Sequence, residues 1–239
     1  QDSPRREGGA VFPGVFEKDG EWEAGEHTVS PRPARGYRLK DGSRCPGVTT
    51  VLEQWGAKAR GLYYWYWEQG SKGAEFGKKL EEEATLGTLV HGLIEAALRG
   101  TSPPVIPDDH KERAENAMLG FYEWRDAFNV EVTGSEVSLV SEAHRYGGTI
   151  DYPVRLKGRR AILDLKSSKR VYDDHRVQLA AYGQLWRECH PDDPAQGYHL
   201  LRVGKEDGSF EHRYWPSLER EWEIFGHLLA LHRLARELK

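Results

Sequence analysis

Two short apolar runs around a basic turn constrain this chain more than any other stretch of it. Tyr152-Pro153-Val154-Arg155-Leu156 and Ala161-Ile162-Leu163 flank Lys157-Gly158-Arg159-Arg160. Runs of this composition about a Gly-containing turn read as an antiparallel hairpin. An acid brackets each end: Asp151 just precedes the first strand, and Asp164 lies near the end of the second, thirteen positions later. An antiparallel pair sets those ends side by side, so the two carboxylates are predicted to meet. Close carboxylates repel, raise each other's pKa, and are stable together mainly with a proton or a cation between them. A hard divalent ion such as Mg²⁺ suits that geometry. Lys166, two residues beyond Asp164, shares its strand face. Two carboxylates and one ammonium at a sheet edge are what phosphodiester hydrolysis needs. A metal ion there provides a charge sink and an activated water, and the lysine orients or activates the water or stabilises developing charge.

Other residues are predicted to complete the centre. Leu86, Leu89, Val90, Leu93, Ile94, Ala97 and Leu98 recur at helical spacing, with Gly87, His91 and Glu95 on the flank of that stripe. A histidine beside an apolar face is more often structural than a ligand. Here a small residue one turn earlier lets the imidazole reach past the helix, so His91 is a candidate metal ligand, as is the backbone carbonyl of Leu165. Glu136, on a predicted strand Ser135–Val140 beside the hairpin, lines the site. The helix predicted over Asp173–Glu188 places Gln178 and Tyr182 on one face, in reach of substrate or of the lysine. Asp-x-Lys alone is common, and a surface strand pair with a salt bridge would also display it. The conjunction of strand signals, spacing and following helix favours a functional site.

The remaining chain frames that centre. Its 239 residues suit one domain. Residues 1–36 read as an arm, with a short hairpin around Val11–Trp22 or none. Residues 37–239 read as a single domain, mainly helical to 130 and arching over the site, then sheet and helices from 131. Tyr37–Lys40 is predicted as a strand before an Asp41-Gly42 turn, and Pro46–Leu52 as the entry to a helix capped by Thr49 or Thr50. Tyr63-Tyr64-Trp65-Tyr66-Trp67 is an aromatic run that serves either as core or as a stacking surface for unpaired bases. After a Pro-rich loop at Thr101–Pro107, His110–Phe128 is amphipathic. Strands are predicted at Tyr198–Val203 and Ser209–Trp215, and a helix over Leu218–Leu238 whose Trp222, Phe225, Leu228, Leu229 and Leu231 suit packing on a sheet. The order predicts an α/β or α+β fold: a central mixed β-sheet flanked by helices, with a helical N-terminal elaboration.

The net charge of −4 argues against a protein that coats nucleic acid indiscriminately. Bases are nevertheless concentrated beside the acids, eight against three from Arg155 to Arg176, and seven against two from Arg32 to Arg60. Solvated faces are the plain reading. A basic track beside the carboxylates is the functional one, with Arg159, Arg160, Lys169, Arg170 and Arg176, together with Tyr64, Trp65 and Trp67, as candidate nucleic-acid contacts. The two cysteines, Cys45 and Cys189, suit a reducing compartment and are too few for a four-cysteine iron–sulfur cluster. No run is long enough to span a membrane and no signal-peptide pattern opens the chain, so an intracellular setting is expected, cytoplasmic or nucleoid, with a mitochondrial one left open.

Taken in order, GTLVH (Gly87–His91), Glu136, GGTID (Gly147–Asp151), DLKSS (Asp164–Ser168) and QLAAY (Gln178–Tyr182) resemble the PD-(D/E)XK nuclease superfamily in its RecB-nuclease-like branch. PGVTTVLEQ (Pro46–Gln54) is similar to an N-terminal feature of the mitochondrial genome maintenance exonucleases and their phage and bacterial relatives. The resemblance covers about Cys45 to Trp215. It implies a restriction-endonuclease-like core, Mg²⁺ or Mn²⁺ as cofactor, catalytic positions at His91, Asp151, Asp164 and Lys166, and a supporting role for Gln178 and Tyr182. The implied activity is that of a DNA exonuclease acting on single strands or free ends. A structure-specific or restriction-type endonuclease of the same chemistry is the alternative, and a noncatalytic nucleic-acid-binding module a more distant one. Asp164 stands where some members carry Glu, and the cysteines that bind a cluster in several members are missing.

Overall fold

The computed structural model describes residues 28–30, 32–34, 36–56, 67, 70–71 and 76–238. In chain order these form β1 (Thr28–Ser30), α1 (Val48–Leu52), α2 (Phe76–Arg99), a 3₁₀ turn (Asp108–His110), α3 (Lys111–Phe128), β2 (Glu131–Val132), β3 (Gly134–Ser141), β4 (Tyr146–Ile150), β5 (Tyr152–Leu156), β6 (Arg159–Lys166), α4 (Asp173–Cys189), β7 (Tyr198–Val203), β8 (Phe210–Trp215) and α5 (Glu219–Glu237).

The hairpin forms as its sequence predicts. β5 and β6 pair antiparallel from Tyr152 opposite Leu163 to Leu156 opposite Arg159. Lys157 (φ 51°) and Gly158 (φ 77°) both take positive φ, the conformation of the two-residue turn whose twist matches that of the strands. β6 is the centre of a five-stranded sheet of order β2-β5-β6-β7-β8, in which only the β6–β7 pair is parallel. The sheet is therefore mixed, and helices cover both faces. Leu163, Leu165 and Leu201 pack with Leu86, Val90 and Ile94 of α2 and with Phe121 and Trp124 of α3. Ile162 and Tyr198 pack on the opposite side with Val177, Ala181 and Leu185 of α4. The alternation along β6 is what a strand buried on both faces requires, and each such side chain contributes roughly 1.5–3 kcal/mol.

A second sheet, β1-β3-β4, joins the first at Asp151. The strand predicted beside the hairpin does lie against it, through the Glu136 N–H donated to the Asp151 carbonyl, and the sheet also holds a strand the sequence did not reveal. The Glu136 strand pairs antiparallel with Tyr146–Ile150. Gly147 and Gly148 hide that strand, because they lack the side chains by which strands are recognised. They are needed for close approach: a Cβ on Gly147 would overlap the Tyr37 ring, and one on Gly148 would stand 2.8 Å from the Tyr182 ring and 2.9 Å from Leu185. β1, drawn from the predicted arm, pairs parallel with β3.

Smaller differences have local causes. α1 begins at Val48 with Gly47 at its N-cap, so Thr49 and Thr50 lie inside the helix and do not cap it. Gly47 is held there by a bridge to Gly147. Residues 37–40 make only the isolated bridge Arg38–Arg44. α5 packs mainly on α4 and α1, because α4 already covers that face of the sheet. From α5, Trp222 and Phe225 meet Tyr146, while Leu231 is exposed. The Val11–Trp22 hairpin, Tyr64 and Trp65 lie outside the described residues, as do residues 57–66, 68–69 and 72–75 of the stretch 37–130 predicted to arch over the site. In the aromatic run Trp67 alone is described, and it is exposed.

Candidate active site

Asp151 occupies the link between β4 and β5, and the hairpin register carries it to the level of Asp164. The Leu165 backbone N–H donates to Asp151 Oδ2 at 2.9 Å. Asp164 is 1% exposed, and Lys166 Nζ stands 2.6 Å from its Oδ2. That contact is an ion pair within the buried site. Burial raises the pKa of both acids. For Asp164 the value is about 6, with Lys166 opposing the rise and Asp151 adding to it. For Asp151 the rise is held back by Lys166, by the Leu165 N–H and by a hydrogen bond with Asp164. Burial also works against the charge on Lys166, but Asp164 and Asp151 outweigh it and its pKa is raised. Two carboxylates thus share one ammonium in a poorly solvated place.

Helix α2 brings His91 to this group. It passes close to the end of β6 at Gly87, where an added Cβ would lie 3.4 Å from Ser167 Oγ. Burial and then Lys166 lower the His91 pKa to about 4, so the imidazole is neutral at neutral pH and has a lone pair to offer. From the other side, α4 supplies Gln178 and Tyr182, both buried, with Gln178 Nε2 donating to Tyr182 Oη at 2.9 Å. Tyr182 is held protonated by burial and by the field of Asp164 and Asp151.

Glu136 is on the rim. Its N–H donates to the Asp151 carbonyl at 2.8 Å, and its φ of 49° is an uncommon conformation for a residue with a side chain. Burial, Glu95 and Asp151 raise its pKa. Glu95, which sequence reasoning placed on the helix flank without a role, faces the same rim. It accepts from Ser135 Oγ at 3.2 Å and pairs with Arg99 at 3.0 Å. Its place one turn beyond His91 was the available signal.

The predicted basic track divides. A hairpin that joins Asp151 and Asp164 at one end must put its turn at the other, about 3.3 Å per residue away. Arg159 and Arg160 sit at that far end. Arg160 is 8% exposed, pairs with Asp193 at 2.7 Å and lies over the Trp186 ring, so its guanidinium is engaged within the fold. Arg176 is paired with Glu221 of α5 and lies over Trp215. Lys169 and Arg170 are exposed just beyond Lys166, with Arg170 over Tyr172.

The donor set suits a hard divalent cation. Two carboxylates exceed the single ammonium in charge, and a neutral imidazole stands by. Among the described residues no three His, Cys, Asp or Glu side chains converge on one point. Mg²⁺ asks less than that, because it commonly keeps several waters and takes one or two carboxylates.

No helix among the described residues is long and apolar enough to cross a membrane. No family model and no curated protein matches the sequence. Among solved structures, a candidate exonuclease from Eubacterium rectale aligns with a TM-score of 0.41 at 14% identity, over 63% of this chain and 65% of that one. An alkaline exonuclease from Laribacter hongkongensis gives 0.32 at 15% identity, over 64% of this chain and 86% of that one. Its complex with dAMP gives 0.32 at 16% over the same shares. Likenesses this distant stop short of a shared family.

Proposed function

We propose that the protein is a metal-dependent nuclease that hydrolyses DNA phosphodiester bonds, working as an exonuclease on single strands or DNA ends. The observation that carries this reading is the pairing of buried Asp164 with half-buried Asp151, with Lys166 at 2.6 Å from Asp164. Mg²⁺ or Mn²⁺, held by Asp151 and Asp164 with His91 and the Leu165 carbonyl as further donors, would supply charge stabilisation and an activated water. The raised pKa of Lys166 keeps it cationic, which supports a role in stabilising the charge that builds on the phosphoryl oxygens rather than that of a base. Neutral His91 adds a donor without adding charge. Tyr182, kept protonated beside both acids, is a hydrogen-bond donor to substrate or to a carboxylate, and Gln178 sets its direction. The preference for single strands or ends rests on the motif resemblance.

The test is shortening of end-labelled single-stranded DNA with and without Mg²⁺. Activity is expected only with the metal and is abolished in Asp164→Ala and Lys166→Ala; activity that survives both changes removes the assignment. Cleavage of closed circular single-stranded DNA would make the enzyme an endonuclease.

A further inference from the structure

Beside the carboxylates lies a cavity of about 370 Å³ between the first half of α2, the end of β6 and the β7–β8 turn. Its described walls are of two kinds. Leu80, Ala84 and Leu165 are apolar, while Glu83, Ser167, Ser168 and Lys205 are polar, and His91 and Lys166 also line it. Building on the nuclease reading, we infer that this cavity is a nucleotide subsite. It takes the sugar and base of the residue next to the bond being cut, with Lys205 facing the flanking phosphate.

The volume lies in the range of small-molecule sites and suits one nucleotide, and an apolar wall with a few convergent polar groups suits a base and its sugar. Lys205 is held in place, not left free. Its side chain is 9% exposed and its Nζ lies 2.7 Å from Glu83 Oε2. Arg113 approaches the other oxygen of Glu83 at 2.7 Å, so one carboxylate on the cavity wall is shared by two cations. The turn that carries Lys205 is clamped by α3: Asn116 Nδ2 donates to the carbonyls of Lys205 and Glu206 at 3.3 Å each. A Cβ on Gly120 would stand 2.7 Å from the Ser209 carbonyl oxygen, so helix and turn are in close backbone contact. A cation fixed in this way offers a phosphate its charge with little ordering cost. The competing account is that Glu83, Arg113 and Lys205 only lock α2 to α3 and the turn.

Binding of a fluorescein-labelled oligothymidylate, followed by anisotropy in EDTA across a salt series, separates the two. Nothing is cut under those conditions. Ala84→Trp puts an indole on the cavity wall while leaving the charges of Glu83 and Lys205 in place and is expected to weaken binding about tenfold or more. Lys205→Gln is expected to weaken it several-fold and to reduce the slope of log affinity against log salt by about 0.7, the loss of one phosphate contact on a single strand. Glu83→Gln frees Lys205, while Arg113 keeps Glu206 at 2.6 Å, and is expected to tighten binding. A locking role alone leaves the salt slope unchanged and loosens the fold in Glu83→Gln without tightening binding. If Lys205→Gln does not fold, Ala84→Trp and Glu83→Gln decide. Variants that bind as wild type does overturn the subsite even if Mg²⁺-dependent cleavage is found. Wild-type binding that follows these rules without any cleavage upholds the subsite and removes the catalytic reading.

Discussion

Replacing Asp164 by Asn should make the metal-free protein more stable, and by an amount that depends on pH. In the folded protein the Asp164 pKa is raised to about 6 from an ordinary 3.8. A carboxylate with a raised folded pKa favours folding while protonated, and that contribution is lost as pH rises through the folded value. By pH 8 the loss is complete, and the span from 3.8 to about 6 corresponds to roughly 3 kcal/mol. The attraction of Lys166 is already contained in that value, so the sign stands although an ion pair is removed. Asn keeps the size of the side chain and cannot ionise, and Lys166 keeps Asp151. At about 2–4 °C per kcal/mol for a chain of this size, the variant should melt several degrees above wild type at pH 8 in EDTA. At pH 4.5, where folded wild-type Asp164 is protonated but the unfolded chain is still mostly ionised, the gap should shrink to roughly a third. Calorimetric melts at the two pH values measure both. Adding Mg²⁺ should raise the wild-type Tm and barely move the variant. The ordinary expectation for removing one partner of a buried ion pair is a loss of about 3–5 kcal/mol. A variant that melts below wild type at pH 8, or a gap of equal size at both pH values, would refute the reasoning.

Lys166→Met should have the opposite sign, lowering the Tm at pH 8 in EDTA because two acids are left without their ammonium, and should cost about 10²–10³ in any phosphodiesterase rate. Arg160→Ala should leave oligonucleotide affinity within about twofold of wild type while lowering the Tm, since it removes the packing on Trp186 and leaves Asp193 only Arg155, at 3.1 Å, at the end of the sheet remote from the acids; a large loss of affinity would restore it to the binding track. Gly147→Ala should cost about 1–3 kcal/mol in urea unfolding, because its Cβ meets the Tyr37 ring. His199, whose Nδ1 lies 3.0 Å from His212 Nε2, has its pKa lowered to about 4 by burial and then by His212. The unfolded chain gains its proton first as pH falls from about 6.5 to about 4, so stability drops across that window by up to roughly 3 kcal/mol. His199→Phe should flatten that part of the melting-temperature profile relative to wild type.

The parts of the structure legible in the sequence are those where one side chain after another repeats a local rule. The β5–β6 hairpin shows in its alternation and its turn, and α2 in the spacing of Leu86, Val90, Leu93 and Ile94. From those two elements alone His91, Asp151, Asp164 and Lys166 are already brought to one neighbourhood. What could not be read depends on groups that meet only after folding. β4 is built on glycines that carry no strand signal, so its pairing with β3 could not be read. Arg160 and Lys169 look alike as letters, yet one is buried against Asp193 and the other is exposed. Glu83, Arg113 and Lys205 come from three separate elements, so no local pattern announces their ion pairs.

The repulsion between the two acids cannot be relieved by a small movement of Asp151. Its carbonyl accepts the Glu136 N–H at 2.8 Å, which ties it to the three-stranded sheet, and its carboxylate accepts the Leu165 N–H at 2.9 Å, which ties it to the five-stranded one. Each bond contributes about 1 kcal/mol. Behind the link, Gly148 is packed under Tyr182 and Leu185, so a shift of β4 would disturb α4 as well. Asp164 is fixed more firmly still, in the central strand between β5 and β7. The geometry therefore leaves a proton or a cation as the means of relief, and either acts on the whole domain, because both sheets and α4 hold the acids together. Protonation and metal binding should accordingly appear in the global unfolding transition, as one shifted melt, and not as local loosening of the Asp151 link. Hydrogen exchange at the Leu165 and Glu136 amides measures this. Exchange in EDTA at pH 8 should track global stability at both sites, and fast exchange there beside a protected sheet would show that the link yields by itself.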